Sequence, residues 1–285
     1  MSPAVDRARD TDAYLARLGL VVRPGPTLDT LRELHRRHTA TIPYENLHTM
    51  LGSPPPVDRH LTLARVARGG NAGYCLHQNG LLEEVLTELG YDVVRLWGHN
   101  WEDEAERADV HLGHLVVYVR GLPTSDNPGG AWWPDLGFGD GIRDPLPLVT
   151  GEHQQGPFGY RLLVHEGGWT FHHDPQGSFH AVDVFASTPG DGELREAHAR
   201  LSGPDGDYSR LLVVQRRLAD CTETLRGCLF TRVGAGAERT ELTAYDAWRV
   251  RLVELGASLV DVDEDALRAL FDRSLVAHRE WVTSR

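Results

Sequence analysis

The residue best placed for covalent chemistry is Cys75. The run Arg68-Gly69-Gly70-Asn71-Ala72-Gly73-Tyr74 leads into it, and Leu81, Leu82, Val85, Leu86 and Leu89 then recur at helical spacing until Gly90. The spacing predicts a helix that opens at the cysteine. A thiol at that end faces unpaired backbone N–H groups and the positive end of the helix dipole. Both favour thiolate, the nucleophilic form of the side chain. Glycines ahead of it allow close approach of backbone and acyl group. The same position also suits a small buried hydrophobe, so the rest of the chain decides.

A cysteine nucleophile needs a base, and the base needs a group that orients it. The chain has 15 histidines, so position matters more than presence. In His111-Leu112-Gly113-His114-Leu115-Val116-Val117-Tyr118-Val119, strand alternation puts His114 on one face with Val116 and Tyr118, and His111 on the other. His114 lies inside the strand, where backbone pairing would hold its ring. Further on, Asp135 stands among Trp132, Trp133, Leu136 and Phe138. A carboxylate in that company is costly to bury unless paired, and an imidazole N–H would offset the desolvation. Capping a turn before Gly137 and Gly139 is the alternative role.

In this order, 39 and then 21 positions apart, the three motifs resemble the arylamine N-acetyltransferase family. That family has an Arg-Gly-Gly-Tyr-Cys-type loop, a His opening an apolar strand, and an Asp-Val-Gly-Phe-Gly segment. Here Asn71-Ala72-Gly73-Tyr74-Cys75, His114 before Leu115 to Val119, and Asp135-Leu136-Gly137-Phe138-Gly139 correspond. Ile42-Pro43-Tyr44-Glu45-Asn46-Leu47 is similar to the family's Pro-Phe-Glu-Asn-Leu segment, and Pro145-Leu146-Pro147-Leu148 matches a further stretch. The likeness is densest over residues 42–148. Asn71 and Ala72 depart from the family's arginine and first glycine, and His77 from its glutamate. These changes leave Glu45 in need of a partner, for which Arg68 is a candidate, and set His77 one helical step from the thiol.

The resemblance implies a catalytic triad of Cys75, His114 and Asp135, arranged as in papain-like proteases. It implies double displacement: the thiolate takes an acetyl group from acetyl-CoA, and an aromatic amine, hydroxylamine or hydrazine then attacks the thioester. Backbone N–H groups near Cys75 would hold the oxyanion. Tyr44 and Phe138 match aromatic positions of the acceptor pocket, Tyr74 and Gly139 adjoin them, and Trp97, His99 and Asn100 extend the wall. Two alternatives share the triad. Amide-synthase-like relatives would move an acyl chain from a carrier protein to an aromatic amine, and a cysteine hydrolase or amidase would use water. No metal is expected, since the adjacent His172 and His173 before Asp174 point to opposite faces of a strand. His35 and His38 are expected to pack or face solvent.

Three units must position these groups, and the expected class is α+β. A helical unit over 1–90 carries the nucleophile, a β-barrel unit over 91–190 carries His and Asp, and an α/β lid covers 191–285. Asp12 and Thr27 are expected to cap the first two helices, with a short helix from His60 to Val66. From Tyr91 the period falls towards 2: Asp92 to Trp97, His111 to Val119, Tyr160 to Val164, Gly168 to His172 and Phe179 to Phe185 read as strands. Short strands joined by turns suggest an antiparallel sheet or small barrel. Ser187 to Asp207 reads as a polar boundary. Beyond it Arg210 to Leu218 and Cys228 to Val233 read as strands, and Ala244 to Leu255 and Asp263 to Val282 as helices.

The bulk composition narrows the partners. The net charge is −12, from 41 acidic residues against 29 arginines and no lysine. With no basic run, a nucleic-acid partner is not expected, and Trp132-Trp133 reads as core. Three cysteines make no disulfide framework, no apolar run is long enough to cross a bilayer, and Met1 to Asp12 is polar. A cytoplasmic enzyme is expected; the sequence leaves its oligomeric state open.

Overall fold

The Cys75–Glu88 helix is the axis of the first third. Every residue from Cys75 to Leu82 is buried, so the helix is enclosed on nearly all sides. Leu81, Leu82, Val85 and Leu86 pack with Tyr14, Leu31 and Leu34 of neighbouring helices and with Val117 and Val119 of the His114–Arg120 strand. Each fully buried leucine or valine contributes about 1.5–3 kcal/mol. That is enough to fix the helix against the strand, and this packing brings Cys75 to His114. The computed structural model describes residues 7–284, so residues 1–6 of the polar stretch Met1 to Asp12 lie outside it.

The His114–Arg120 strand belongs to an eight-stranded antiparallel sheet, curled into a nearly closed barrel. Its central strand, Asp92–Trp101, pairs with His114–Arg120 on one side and Ala181–Phe185 on the other. Val116 faces the interior with Trp133, Phe138, Phe158, Tyr160 and Phe171. Alternation along His114–Arg120 thus sends one set of side chains into the barrel and the other towards the Cys75 helix.

A second antiparallel sheet joins Tyr44–Glu45, Val213–Arg217, Cys221–Arg226, Leu229–Gly234 and Glu238–Glu241 in that order. Helices Tyr245–Glu254 and Glu264–Thr283 cover it through Trp248, Leu252, Leu267, Leu270 and Phe271. The first and last thirds therefore share a sheet. Arg217 ties that sheet to the barrel: its buried guanidinium donates to the Gly141 carbonyl at 3.1 Å and the Gln155 carbonyl at 2.9 Å and lies 4.4 Å from the Phe158 ring centre.

Several local expectations change. Asp12 lies inside helix Arg7–Arg17 and pairs with Arg23 at 3.0 Å, whereas Thr27 does cap its helix, accepting from Thr30 N–H. The strand expected from His111 starts at His114, and the one expected to end at Trp97 runs to Trp101. Leu146–Pro147, where two prolines in four residues suggest a turn, pairs with Trp132–Trp133 as a short edge strand, where proline costs little. The supposed polar boundary contains helix Asp191–Ser202, whose Leu194 and Ala197 pack on Tyr74, Leu76, Trp97 and Leu115. Among the described residues no helix is long and apolar enough to cross a membrane.

Candidate active site

Cys75, His114 and Asp135 meet where helix, strand and the loop after Trp133 converge. His114 Nε2 donates to Asp135 Oδ2 at 2.9 Å, with both side chains buried. That leaves Nδ1 as the ring nitrogen available to Cys75. The His114 ring stacks on Phe138 with centroids 4.4 Å apart and planes 4° from parallel, which fixes its tilt. Burial works against a charged ring here, but the charge and hydrogen bond of Asp135, with a further contribution from Cys75, push His114 up to about 10. The first-turn N–H groups of the helix, Cys75 and Leu76 among them, have no acceptor one turn back and face an anion at the sulfur.

Asp135 is held on every side. Trp133 Nε1 donates to Oδ2 at 3.2 Å, while Asn79 Nδ2 at 2.9 Å and Gly137 N at 2.8 Å donate to Oδ1. Asn79 Oδ1 accepts from Leu136 N at 2.9 Å, so one amide clamps the loop from both ends. Asn79 was not singled out from the sequence. The signal was present: a polar residue four positions after Cys75 shares its face of the helix. His35 also turns out to position the site rather than pack passively. Its Nδ1 donates to Arg143 O at 2.8 Å, leaving Nε2 to accept from Asp135 N at 3.1 Å. Burial lowers its pKa below the usual histidine value and keeps the ring neutral, as those roles require.

The loop before Cys75 shows what the unusual residues do. Gly73 has φ +107°, and a Cβ there would stand 2.8 Å from His77 Nδ1. His77 Nε2 donates to Pro55 O at 3.0 Å, and burial pushes its pKa down to about 3, so it is a neutral strut. Asn71 grips the chain far downstream, donating to Ser258 O at 2.8 Å and accepting from Ser258 N at 2.7 Å. Arg65, not Arg68, supports the loop by donating to Asn71 O and Ala72 O; Arg68 merely ends helix Arg59–Ala67.

Glu45 is buried and accepts from Leu47 N at 2.6 Å. Burial pushes it up to about 7, against the Leu47 N–H and the Arg65 charge, which hold it down. A carboxyl raised on folding gives stability that is present below its unfolded value, about 4.5, and lost as pH rises through 7. Glu45→Gln keeps an acceptor and removes that slope. In urea titrations its midpoint should gain on the wild type from pH 5 to about pH 7 and level off above that; a constant difference would refute the assignment.

A cavity of about 660 Å³ opens over Cys75 and His114. His99, Asn100, Phe179 and Tyr208 line it. Tyr44, Tyr74, Phe138 and Gly139 stand one layer back. Tyr74 stacks on Tyr208 at 3.9 Å, and Tyr44 Oη donates to Tyr208 Oη at 2.9 Å. Gly139, at φ +67°, is wedged between Gln215 and Tyr44. Trp97 packs beside Cys75 and Leu115. Tyr208 itself carried no local signature. Among the described residues no group of three or more His, Cys, Asp or Glu is placed to hold a metal; His173 faces Asp140 at 3.6 Å.

A family model described as N-acetyltransferase matches residues 27–254. The arylamine N-acetyltransferase of Mycolicibacterium smegmatis is 34% identical over 185 residues, covering 64% of this chain and 66% of that protein. The arylamine N-acetyltransferase / N-hydroxyarylamine O-acetyltransferase of Salmonella typhimurium is 30% identical over 236 residues, 79% of each chain. The structure of Mycobacterium marinum arylamine N-acetyltransferase in complex with CoA has TM-score 0.79 and 28% identity, covering 92% of this chain and 98% of that one. A match over most of the length and one shared fold lead to a single assignment: this chain is an enzyme of the arylamine N-acetyltransferase family.

Proposed function

We propose that the enzyme moves an acetyl group from acetyl-CoA to an aromatic amine, hydroxylamine or hydrazine in two displacements at Cys75. The observation that carries this is the run of contacts from Asp135 through His114 to the cleft that holds Cys75. His114 takes the thiol proton. The sulfur attacks the thioester carbonyl, the C–S bond to CoA breaks, and CoA leaves as a thiol with the proton from His114. The amine then attacks the acetyl-cysteine, His114 receives its proton, and Cys75 is regenerated as the amide departs. The acceptor ring lies against Phe179 and Tyr208, with Tyr44, Tyr74, Phe138 and Gly139 shaping that wall from behind.

Charge at the rim favours a diffusible donor. Glu102, Glu106, Asp109, Asp205 and Asp207 face the cavity against Arg200 and Arg226. One CoA pairs its phosphates with the two arginines, whereas docking an acidic carrier protein would bring its whole face against the carboxylates. The test is to mix enzyme and acetyl-CoA without acceptor. One equivalent of CoA should be released in a burst, leaving an acetyl group on the Cys75 peptide by mass spectrometry, and aniline or phenylhydrazine should discharge it. No acetylation of Cys75 sinks the reading; continuous CoA release without amine makes the enzyme a hydrolase.

A further inference from the structure

The cleft holds a polar chain that the two displacements leave unexplained. Tyr208 Oη lies 3.6 Å from Cys75 Sγ. It accepts from Tyr44 Oη at 2.9 Å, so its own proton is free to point at the sulfur. Its ring is fixed by the Tyr74 stack, 15° from parallel. Asn46 fixes its backbone, donating from Nδ2 to Tyr208 O and Leu211 O, each at 2.8 Å, and accepting Val213 N at 2.8 Å. Two tyrosines, a stack and an asparagine clamp thus aim one hydroxyl at the reacting atom.

We propose that Tyr208 is a further catalytic residue, its hydroxyl donating to the Cys75 thiolate and then to the oxyanion of each tetrahedral intermediate, with Tyr44 as the positioning residue that polarises it. This rests on the cysteine acyl-transfer reading above. When the sulfur attacks, the new C–S bond forms and the carbonyl π electrons move onto oxygen. That oxygen sits one bond beyond the attacked carbon, within reach of a donor 3.6 Å from the sulfur. No proton is transferred from the phenol; it strengthens its hydrogen bond as charge develops and relaxes when the carbonyl re-forms and the thiol or amide leaves. Burial first, and then the Cys75 charge, hold both phenols well above the usual tyrosine range, so they remain donors throughout the working pH range. Chaining the two hydroxyls polarises the terminal one beyond what a lone phenol supplies.

The ionisable groups facing Cys75 are His114 and Tyr208, with Tyr44 and Tyr74 behind them. Tyr208→Phe keeps the stacked ring and deletes only the hydroxyl. Expected is a fall in kcat of about 10- to 100-fold with KM little changed, because a hydrogen bond to a charged group is made stronger in the transition state. Tyr44→Phe should cost less, and the double variant no more than Tyr208→Phe alone, since one acts through the other. Equal kcat in Tyr208→Phe overturns the proposal, as do additive losses for the Tyr44 contribution.

A second readout does not depend on acyl transfer. Iodoacetamide alkylation of Cys75, followed on its tryptic peptide against pH, should reach half its maximal rate about one pH unit higher in Tyr208→Phe than in the wild type. An unmoved profile overturns the contact whatever the enzyme transfers. Wild-type enzyme that alkylates normally but is never acetylated overturns the acyl-transfer reading instead.

Discussion

Asp135→Asn should slow acetylation of Cys75 by about 10⁴-fold, the scale expected when a buried carboxylate that sets a catalytic histidine's tautomer is neutralised. Four donors converge on this carboxylate: His114 Nε2, Trp133 Nε1, Asn79 Nδ2 and Gly137 N. Asparagine has one acceptor atom in place of two. With its oxygen towards Asn79 and Gly137, its NH2 faces His114 and Trp133, and the ring answers by accepting at Nε2. The proton then sits on Nδ1, the nitrogen that must receive the thiol proton. The ring also loses the charge that outweighs burial and pushes it up to about 10. Turning the amide over instead leaves the Asn79 and Gly137 donors facing NH2, at about 1–3 kcal/mol for each unpaired donor. Single-turnover release of CoA measures the effect, with circular dichroism as the check on folding. A loss below tenfold would mean that Asp135 only braces the loop.

The parts of this site that were legible in the sequence are those written in local chemistry. Glycines ahead of Cys75, alternation around His114 and a carboxylate just after two tryptophans each leave a short-range mark, and the helix and strand they predict are present. The Thr27 cap was legible for the same reason, whereas Asp12, expected as a cap, lies inside its helix. What escaped depends on distance along the chain. Tyr208 reaches the cleft because Asn46, more than 160 positions earlier, brackets its loop, and no periodicity records such a contact. Helix Asp191–Ser202 looked like a linker because only Leu194 and Ala197 are buried on its inner face. Edge strands escaped for a related reason: Gly151–Gln155 and Glu238–Glu241 bury no apolar face and are strands only because a neighbour pairs with them. Asn79 escaped differently: its spacing from Cys75 is readable, but the loop it clamps lies 56 positions further on.

Gly137→Ala should lower acyl transfer by about 100-fold, and the argument rests on space rather than on backbone freedom. A methyl at this position would stand 2.8 Å from Cys75 Cβ, 2.9 Å from Cys75 Cα and 2.9 Å from Asn79 Nδ2. None of these can yield cheaply. Two belong to the first turn of a helix buried on nearly every side, and the third is the amide that clamps the Asp135 loop. The loop must therefore retreat from the helix, taking the Gly137 N–H and Asp135 with it. Crowding of this kind costs about 1–3 kcal/mol of stability, and misplacing a catalytic group by about 1 Å costs on the order of 10²-fold in rate. The rate is therefore the more sensitive measurement. Urea midpoints and kcat for acetyl-CoA taken together separate the two effects: expected is a folded enzyme, slightly less stable, whose Cys75 still alkylates but is acetylated slowly. Full activity in Gly137→Ala would show that the loop carrying Asp135 has slack where the structure has contact, and with it would go the account of why a glycine stands two residues after that carboxylate.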